Sequence, residues 1–494
     1  MATSVLEDDI SPTSADEMHL EIFCLVWLDA GASTKDVRDS EQKLRSIINR
    51  FKKFQDVKQC QQYIMERSQQ ERVVMIVSGQ LGRQIVPSIH ELRQVIAIYV
   101  YCMNKNSNKE WADNFAKVKA VIVEIDELIS RIKADHKIQK VVEEPLSISV
   151  FNTNTEAGTS TTGVNGQFVF YQVLIDCLLR LTSTEQDKEE LINLCKEQYK
   201  GNSTELNNLC DFQDNYSPDQ ALWWYTKESF FYKTLNAALR KQDFHFIYLF
   251  RAFICDIHRQ LTKYQLKQPQ KVYRSQMISS DELKMLEQCC DQFISVNSFF
   301  STSTDKEKAL SFVKTSETTD NLKPVLFEID ANPSVVTIKP FADLSPYSAY
   351  PGESEILFML GAIFHLDSIY RSSDSQLSII RMTLCGDEVH ALKEVLVHLK
   401  KQLGNGETNL HILGRLLWDM SRPDLAEKYF LRLLEQLPSN DPSIGKLYDD
   451  LGKLASQAGK LDKSMEWHKK AREFENQSKP IIPMSKPIQR NLII

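Results

Sequence analysis

Residues 153–167 are the stretch of the sequence least able to join a hydrophobic core. Their order is Thr-Asn-Thr-Glu-Ala-Gly-Thr-Ser-Thr-Thr-Gly-Val-Asn-Gly-Gln, with hardly an apolar side chain among them. This composition is typical of a flexible linker, because it offers almost no apolar surface to bury. A chain of 494 residues also exceeds what one core supports, which favours about three or four domains. We therefore predict a domain boundary here, with a linker over residues 139–167.

Ahead of the linker, apolar runs alternate with stretches of helical periodicity. Runs that are apolar throughout are typical of strands buried on both faces, and intervening helices, such as the one predicted over 37–54, favour an open parallel α/β sheet. The four runs are Ile22–Leu28, Arg72–Ser78, Ala97–Cys102 and Val118–Val123. We predict this α/β domain over residues 19–138, after a disordered leader over residues 1–18.

Asp29 and Ser78–Gly82 would lie at the carboxyl ends of these strands, where such sheets bind ligands. The sequence carries neither a phosphate-loop Gly-Lys-Ser/Thr nor a Gly-x-Gly-x-x-Gly pattern. Glycines that close turns are the simpler interpretation, and we assign this domain no chemistry.

Beyond the linker the pattern is helical up to residue 267 and then turns to short strands. Helices followed by strands favour an α+β domain, which we predict over residues 168–390 as a helical lobe (168–267) and a strand-rich core (268–390). The pairs Trp223-Trp224 and Phe230-Phe231 are predicted to anchor the core of the lobe. The predicted strands are 271–274, 299–302, 325–329, 335–338, 355–358, 363–365 and 378–384, with helices at 281–293 and 305–313.

The last quarter of the chain repeats itself. Leu413-Gly414 recurs as Leu451-Gly452, and Ala426 and Phe430 recur in register as Ser464 and His468. The offset is about 38 residues against about 34 in a plain tetratricopeptide, and the loop at 439–442 accommodates the difference. We predict tetratricopeptide-like helical hairpins over residues 391–478, with a degenerate unit at 387–403 and a tail over 479–494. Because about three units are needed for stability, the array must be stabilised by contacts with a neighbouring domain or with a partner.

Composition excludes several classes of function. The net charge of −7 gives no reason to expect nucleic acid or an anionic membrane as a partner. No apolar run approaches the roughly 20 residues of a membrane span, and the first 18 residues lack the features of a signal peptide. The ten cysteines are scattered without paired metal spacing, which is typical of buried thiols in a reducing compartment. We predict a cytoplasmic protein.

Three motifs in the strand-rich region carry chemistry. Glu353 and Glu355 precede an apolar run, and on an extended strand a spacing of two puts both carboxylates on one face. Alone, such a pair is best explained as a charged strand edge. Upstream, however, Arg274 ends a short apolar run, and Ser298–Thr304 carries two aromatic residues that lead into hydroxyls.

In this order the three motifs resemble the arginine–serine–glutamate class of mono-ADP-ribosyltransferases. Residues 232–240 are similar to the amphipathic helix that precedes the catalytic core of the eukaryotic members, and Tyr350, three residues before Glu353, matches the family's acceptor-recognition turn. The resemblance covers residues 168–390. It implies an ADP-ribosyltransferase α+β fold, NAD as co-substrate and no metal. Many members carry glycine after the arginine, where this chain has Ser275.

The resemblance implies a role for each motif residue. Glu355 would be the catalytic carboxylate that holds the ribose 2′-hydroxyl and stabilises the developing positive charge. Glu353 would hold the acceptor guanidinium, Ser301 would fix the rotamer of Glu355, and Arg274 would contact the NAD phosphates. The remaining predicted positions are Ser275, Phe300, Thr302 and Ser303 for the cofactor, with Phe300 or else Phe299 packed on nicotinamide, and Tyr350 beside the acceptor.

A glutamate at position 353 implies arginine as the acceptor, because a carboxylate matches a guanidinium fork bidentately. The resemblance therefore predicts an NAD-dependent protein-arginine mono-ADP-ribosyltransferase. Its partners would be an acceptor protein bearing arginine and a protein or peptide bound by the repeats.

Other interpretations stay open. Arg274 could be a structural ion-pair partner of Glu355, the hydroxyls of 301–303 could cap the following helix, and Phe299-Phe300 could be core. At the level of function, the alternatives are an NAD glycohydrolase, in which water replaces the acceptor, and a catalytically inactive scaffold built around the repeats.

Overall fold

A computed structural model describes most of the chain. The described residues are 20–31, 35–68, 71–143, 146–152, 165–227, 229–314, 322–335, 339–349, 354–372, 377–386, 397 and 408–478. They divide into two compact units, one of residues 1–175 with 183–396 and the other of residues 176–182 with 397–494. The predicted leader (1–18), the tail (479–494) and all of the degenerate repeat at 387–403 except Val397 lie outside the described residues.

The N-terminal part forms a five-stranded parallel sheet in the order β2-β1-β3-β4-β5. Its elements are β1 (Phe23–Leu28), α1 (Lys35–Ile47), β2 (Phe51–Phe54), α2 (Val57–Met65), β3 (Arg72–Ser78), α3 (Gly79–Ile89), β4 (Val95–Tyr101), α4 (Lys105–Ala112), β5 (Val118–Ile122) and α5 (Ile125–Glu143). Alternate residues of each strand enter two separate apolar clusters, one on each face of the sheet. The predicted open parallel sheet is confirmed.

Strand β2 corrects the predicted helix over residues 37–54. The helix ends at Ile47, and Phe51–Phe54 pairs with Leu25–Leu28 as an edge strand. Phe51 is buried edge-on against Trp27, with ring centroids 6.4 Å apart. This tertiary contact with a neighbouring strand overrides the helical periodicity of the sequence.

Asp29 and Ser78 lie at the carboxyl ends of β1 and β3, where the sequence predicts them. The Asp29 carboxylate accepts a hydrogen bond from the amide of Gly31 at 2.8 Å, and Ser78 is the residue from which α3 begins. A Cβ on Gly79 would lie 2.6 Å from the amide oxygen of Asn108. These residues therefore serve the turns, as the sequence suggests.

The predicted linker over residues 139–167 contains a strand, β6 (Ile148–Phe151). The helical lobe follows as α6 (Gly166–Arg180), α7 (Glu185–Gln198), α8 (Ser203–Asn215), α9 (Ala221–Thr226), α10 (Phe230–Lys241), α11 (Phe244–Leu249) and α12 (Arg251–Lys263). Because β6 is hydrogen-bonded into the sheet described next, this part of the interval is core structure and not linker. Residues 153–164 lie outside the described part of the chain.

Aromatic side chains form the core of the lobe around Phe212. Its ring lies 5.1 to 5.4 Å from the rings of Trp224, Phe230, Phe231 and Phe253. These contacts agree with the anchoring role predicted for Trp224 and for both phenylalanines. Trp223 is the exception: it is 39% exposed, and the Lys227 ammonium lies over its ring at 5.1 Å.

A buried ion pair connects two helices of the lobe. Asp187 in the first turn of α7 and Arg251 at the start of α12 are in direct contact, and their side chains are 0% and 1% exposed. The Asp187 carboxylate also accepts hydrogen bonds from the Tyr248 hydroxyl and from the amide of Thr184, both at 2.9 Å. Burial disfavours the charge of Asp187, but the Thr184 amide and the Arg251 guanidinium outweigh it and lower the pKa of the carboxyl to about 2.

Buried polar contacts join the parallel-sheet domain to the lobe. The Asn202 amide group donates to the Arg45 carbonyl at 2.8 Å and to the Asn49 side chain at 3.1 Å, and Asn49 donates to the Gln198 carbonyl at 2.8 Å. Nearby, Lys233 and Glu205 form an ion pair at 2.6 Å in which both side chains are under 10% exposed. The two domains therefore pack within one compact unit.

The strand-rich core forms a nine-stranded sheet in the order β11-β12-β9-β7-β10-β14-β13-β8-β6. All neighbours are antiparallel except β10 and β14. Its elements are β7 (Gln270–Ser279), α13 (Ser280–Gln288), β8 (Phe293–Val296), β9 (Phe300–Ser303), α14 (Lys306–Lys314), β10 (Leu322–Ala331), β11 (Phe341–Asp343), β12 (Glu355–Phe358), β13 (Ala362–Arg371) and β14 (Ser378–Cys385).

A single residue pair, Tyr273 with Ser303, joins β7 to β9. The sheet therefore divides there into a three-stranded and a six-stranded part. Two predicted elements differ. The helix predicted over 281–293 ends at Gln288, because Asp291 adopts a φ of 64° and the chain turns into β8. In the strand predicted over 335–338, Val335 ends a 3-10 turn, and residues 336–338 lie outside the described residues.

The second unit contains two helical hairpins, α15 (Leu410–Asp419) with α16 (Pro423–Gln436) and α17 (Ile444–Gln457) with α18 (Leu461–Ser478). The two hairpins pack in the same way at positions 38 residues apart, as the predicted repeat requires. A Cβ on Gly414 would meet the Phe430 ring, and one on Gly452 would meet the ring of His468, 16 residues later in both cases. The assignment to the tetratricopeptide class stays a prediction. Within the described ranges, no helix is long and apolar enough to cross a membrane.

Replacing Gly414 with Ala should destabilise this unit. The new Cβ would lie 2.4 Å from Cε1 of the fully buried Phe430. Overpacking costs about 1–3 kcal/mol, more than the roughly 1 kcal/mol that alanine gains in helix propensity. Gly445→Ala is the matched control, since its Cβ would lie 3.4 Å from Phe474. Hydrogen exchange over residues 410–478 should accelerate in Gly414→Ala alone, and equal exchange in both variants would contradict this packing.

Candidate functional site

The site lies where β7, β9 and β12 are neighbours. Arg274 lies on β7 opposite Phe327 of β10, and its side chain is partly exposed. Its guanidinium donates through Nη1 to the Ser301 carbonyl at 2.9 Å and lies 5.4 Å from the centre of the Phe300 ring. These contacts fix one end of the arginine against β9, so the predicted cation and the predicted hydroxyl segment are brought together.

Strand β9 alternates between buried and partly exposed residues. Phe300 and Thr302 are 0% and 5% exposed, whereas Ser301 and Ser303 are partly exposed. The Thr302 hydroxyl donates to the Ile356 carbonyl of β12 at 3.0 Å, and the Ser303 hydroxyl accepts from the Asp305 amide at 3.1 Å. The strand therefore presents Ser301 and Ser303 on one face and uses the other face for the core.

Glu355 is the first residue of β12 and lies opposite Ser303, while Ser301 lies opposite Leu357. Residues two apart on a strand share a face, so the Glu355 carboxylate is on the same face as both serine hydroxyls. Its side chain is partly exposed. Arg274, Ser301, Ser303 and Glu355 therefore lie on three adjacent strands, and the Arg274 guanidinium is bonded to the Ser301 carbonyl.

The structure corrects the extended geometry expected between the two glutamates. Ser354 has a φ of 48°, in the left-handed region, so the strand begins at Glu355 and does not continue back toward Glu353. The shared strand face predicted for the two carboxylates requires an extended residue 354, and Ser354 does not have that conformation. Tyr350 and Glu353 themselves lie outside the described residues.

Three predicted cofactor-binding side chains lie in the interior. Ser275 is 2% exposed, and its hydroxyl donates to the Ala309 carbonyl of α14. The Phe300 ring packs among Phe327, Phe358 and Phe364, with centroids 5.9 to 6.2 Å away. These two side chains, like Thr302, have almost no exposed surface to offer to NAD in this conformation, because each is used to hold the strands together.

Phe299, the weaker of the two candidates for nicotinamide packing, is 6% exposed and contacts the ring of Tyr225 at 4.9 Å. Tyr225 donates its hydroxyl to Asn236 at 3.2 Å, and Asn236 lies on α10, where the resemblance predicts a helix. The helical lobe therefore supports the start of β9 through an aromatic contact.

A cluster of charges next to the site was not predicted from the sequence. Glu328 of β10 lies opposite Tyr273 and contacts Lys306 at 2.7 Å and Arg381 at 3.4 Å. Burial of Glu328 disfavours its charge, but the two cations outweigh it and hold the pKa of the carboxyl below its ordinary value. The residues are distant in sequence, and only the strand register brings them together.

The loop between β11 and β12 is tied to its surroundings on both described flanks. The Leu344 amide donates to the Glu355 carbonyl at 2.8 Å, and the Thr304 amide donates to the Ser354 carbonyl at 3.4 Å. The Ala349 amide donates to the Thr226 hydroxyl at 2.9 Å, and Tyr347 stacks on Tyr264 with ring centroids 3.8 Å apart. The sequence carries no local pattern that points to Thr226 or Tyr264.

Residues 193–385 match the family model described as ADP-ribosyltransferase exoenzyme. The chain carries an ADP-ribosyltransferase domain. This domain uses NAD as co-substrate, as the resemblance predicts. Among the described residues, no group of three or more His, Cys, Asp or Glu side chains could hold a metal ion.

Several solved structures of ADP-ribosyltransferases are similar to part of the chain. Vis toxin from Vibrio splendidus is 22% identical over 42% of this chain and 89% of the toxin, with a TM-score of 0.27. HopU1 of Pseudomonas syringae pv. tomato DC3000 is 16% identical over 42% of this chain and 99% of its own, with a TM-score of 0.28. The C3 exoenzyme of Clostridium limosum is 13% identical over 39% and 94%, with a TM-score of 0.28. No curated protein matches the chain.

Proposed function

We propose that this protein transfers ADP-ribose from NAD to arginine side chains of an acceptor protein, with release of nicotinamide. The cluster of Arg274, Ser301 and Glu355 on three adjacent strands is the observation that carries this proposal. All three lie within the segment that matches the ADP-ribosyltransferase exoenzyme family.

In the proposed reaction, the bond between the nicotinamide nitrogen and ribose C1′ breaks, and its electron pair stays on nitrogen. Nicotinamide leaves as a neutral molecule, so no general acid is needed. The ribose gains oxocarbenium character, as in glycoside hydrolysis. Glu355 acts by placing a negative charge beside that developing positive charge and by accepting a hydrogen bond from the 2′-hydroxyl.

Arg274 and Ser301 have supporting roles in this proposal. The guanidinium of Arg274 is anchored on the Ser301 carbonyl at 2.9 Å and remains partly exposed. A guanidinium suits a phosphate, which it binds in a fork geometry, so Arg274 is the proposed contact for the NAD phosphates. The Ser301 hydroxyl shares a strand face with Glu355 and would fix its rotamer.

The arginine acceptor would attack C1′ through a guanidinium nitrogen and lose one proton. Glu353 would orient that guanidinium bidentately and accept the proton. The second unit would bind a protein or peptide partner as a tetratricopeptide-like array, a role supported by its two stacked helical hairpins.

Labelled NAD with agmatine as the acceptor tests this function. The wild-type protein should label agmatine, and Glu353→Gln should lose at least about 90% of the transfer while NAD hydrolysis persists, because an amide cannot take up the guanidinium proton. Glu287→Gln, an exposed glutamate on α13, is the matched control and should behave as wild type. Free ADP-ribose without labelled agmatine would favour a glycohydrolase, and NAD binding without turnover would favour the scaffold.

A further inference from the structure

The segment between β11 and β12 leads directly into the proposed acceptor-binding residues and returns at the catalytic carboxylate. The two ends of this segment are joined by the hydrogen bond from the Leu344 amide to the Glu355 carbonyl, at 2.8 Å. This bond holds Leu344 beside the start of β12, whereas Ala349, at the other end of the described flank 344–349, directly precedes the proposed acceptor-binding residues in the sequence. Other contacts also hold this flank in place.

The flank has its own internal turn. The amides of Tyr347 and Ser348 both donate to the Leu344 carbonyl at 2.8 Å, and the Asp343 carboxylate accepts from the amide and hydroxyl of Ser345 at 2.9 and 2.6 Å. These bonds give residues 343–348 a defined shape. They do not fix that shape relative to the rest of the domain, which requires contacts with another element.

Besides the bond from Leu344 to β12, two side chains of the helical lobe supply such contacts. Thr226, the last residue of α9, accepts from the Ala349 amide at 2.9 Å and donates to the Trp223 carbonyl at 3.1 Å, so its hydroxyl connects the helix end to the flank. Tyr264, directly after α12, stacks on Tyr347 with an interplanar angle of 19°. The contacts are independent of each other, since they come from different helices.

We propose that Thr226 and Tyr264 are positioning residues that hold the 344–349 flank against the helical lobe and thereby set acceptor recognition. The inference rests on the proposed function. Neither residue touches the cluster of Arg274, Ser301 and Glu355 in any contact described above, so NAD cleavage itself should not depend on them. Their effect should appear in the partition of ADP-ribose between acceptor and water.

The test compares Thr226→Val and Tyr264→Leu with Thr262→Val in the full chain. Valine keeps the shape of threonine and removes the hydroxyl. Thr262 lies on the same lobe, but its exposed hydroxyl donates to its own helix, to the His258 carbonyl at 2.8 Å. With labelled NAD and agmatine, the ratio of transfer to hydrolysis should fall about 3- to 10-fold in Thr226→Val and about 2- to 10-fold in Tyr264→Leu. The KM for NAD should stay unchanged, and Thr262→Val should match wild type.

Hydrogen exchange separates failure of this inference from failure of the proposed function. Exchange over residues 344–349 should accelerate in Thr226→Val and not in Thr262→Val, whatever acceptor the enzyme uses. Unchanged exchange would overturn the anchoring role, and faster exchange with an unchanged ratio of transfer to hydrolysis would overturn the role in acceptor recognition. A wild-type protein that hydrolyses NAD but never labels agmatine would instead contradict the proposed function before any variant is compared.

Discussion

Glu355→Gln should lower both ADP-ribose transfer and NAD hydrolysis by about 10²- to 10³-fold or more. Glutamine keeps the size and the hydrogen-bonding oxygen of the side chain but removes the negative charge that faces the developing oxocarbenium ion. Both reactions share that transition state, so both should fall together. This differs from Glu353→Gln, which should affect transfer alone.

The substitution of Glu355 by glutamine should leave the backbone pairing of β12 in place. Glu355 is partly exposed at the start of β12, and its backbone pairing with Ser303 of β9 does not depend on the carboxylate charge. Asp330→Asn on β10 is the matched control, since its carboxylate is 62% exposed in a surface pair with Lys271. Rates from labelled nicotinamide release should be normal for the control. A Glu355→Gln protein that keeps more than a tenth of wild-type turnover would remove Glu355 from the catalytic role.

Asp187→Ala should cost the fold about 3–5 kcal/mol of unfolding free energy, which is a large part of the stability of a typical domain. It leaves the guanidinium of Arg251, 1% exposed, without its carboxylate. The Tyr248 hydroxyl and the Thr184 amide would also lose their acceptor. Asp211→Ala is the control: its pair with Lys227 is 3.5 Å long and solvent-exposed, so it should cost under about 1 kcal/mol.

The ion pair between Asp187 and Arg251 also makes the stability of the fold depend on pH. The folded-state pKa of Asp187 is about 2, below the ordinary value of 3.8. A lowered pKa means that the stabilisation is fully present above about pH 4 and is lost as the pH falls toward 2. The difference between the folded-state pKa and the ordinary pKa of Asp187 corresponds to about 2 kcal/mol of stability. Urea unfolding of wild type and Asp187→Ala between pH 5 and pH 2 should therefore show that the difference in their free energies of unfolding becomes smaller in acid. A difference that stays constant over this range would contradict the lowered pKa of Asp187.

Strong patterns in the sequence predicted much of the fold. The apolar runs identified four of the five parallel strands, because strands buried on both faces need continuous apolar residues. The bounds of β12 were predicted without error. Strand β2 was missed because Phe-Lys-Lys-Phe has neither alternation nor a continuous run, and it is held by the edge of β1 and by Trp27. Such contacts are not visible in local periodicity.

The site was predicted in its order along the chain but only in part in its geometry. The period of two along Phe300–Ser303 carried a usable signal: if Ser301 faces the site, Phe300 and Thr302 must face the core. The turn at Ser354 had no such signal in the sequence, because a serine gives no indication of a positive φ. Thr226 and Tyr264 are far from the motifs in sequence, and only tertiary packing brings them to the loop.

Strand β6 has a consequence for how this protein can be divided. It comes before the polar stretch in the chain, yet in space it forms the outermost strand of the transferase sheet, paired along β8. A fragment that starts after the polar stretch would leave β8 as an open edge, with unpaired backbone groups that invite association between chains. A fragment meant to keep this sheet intact must therefore include Ile148–Phe151.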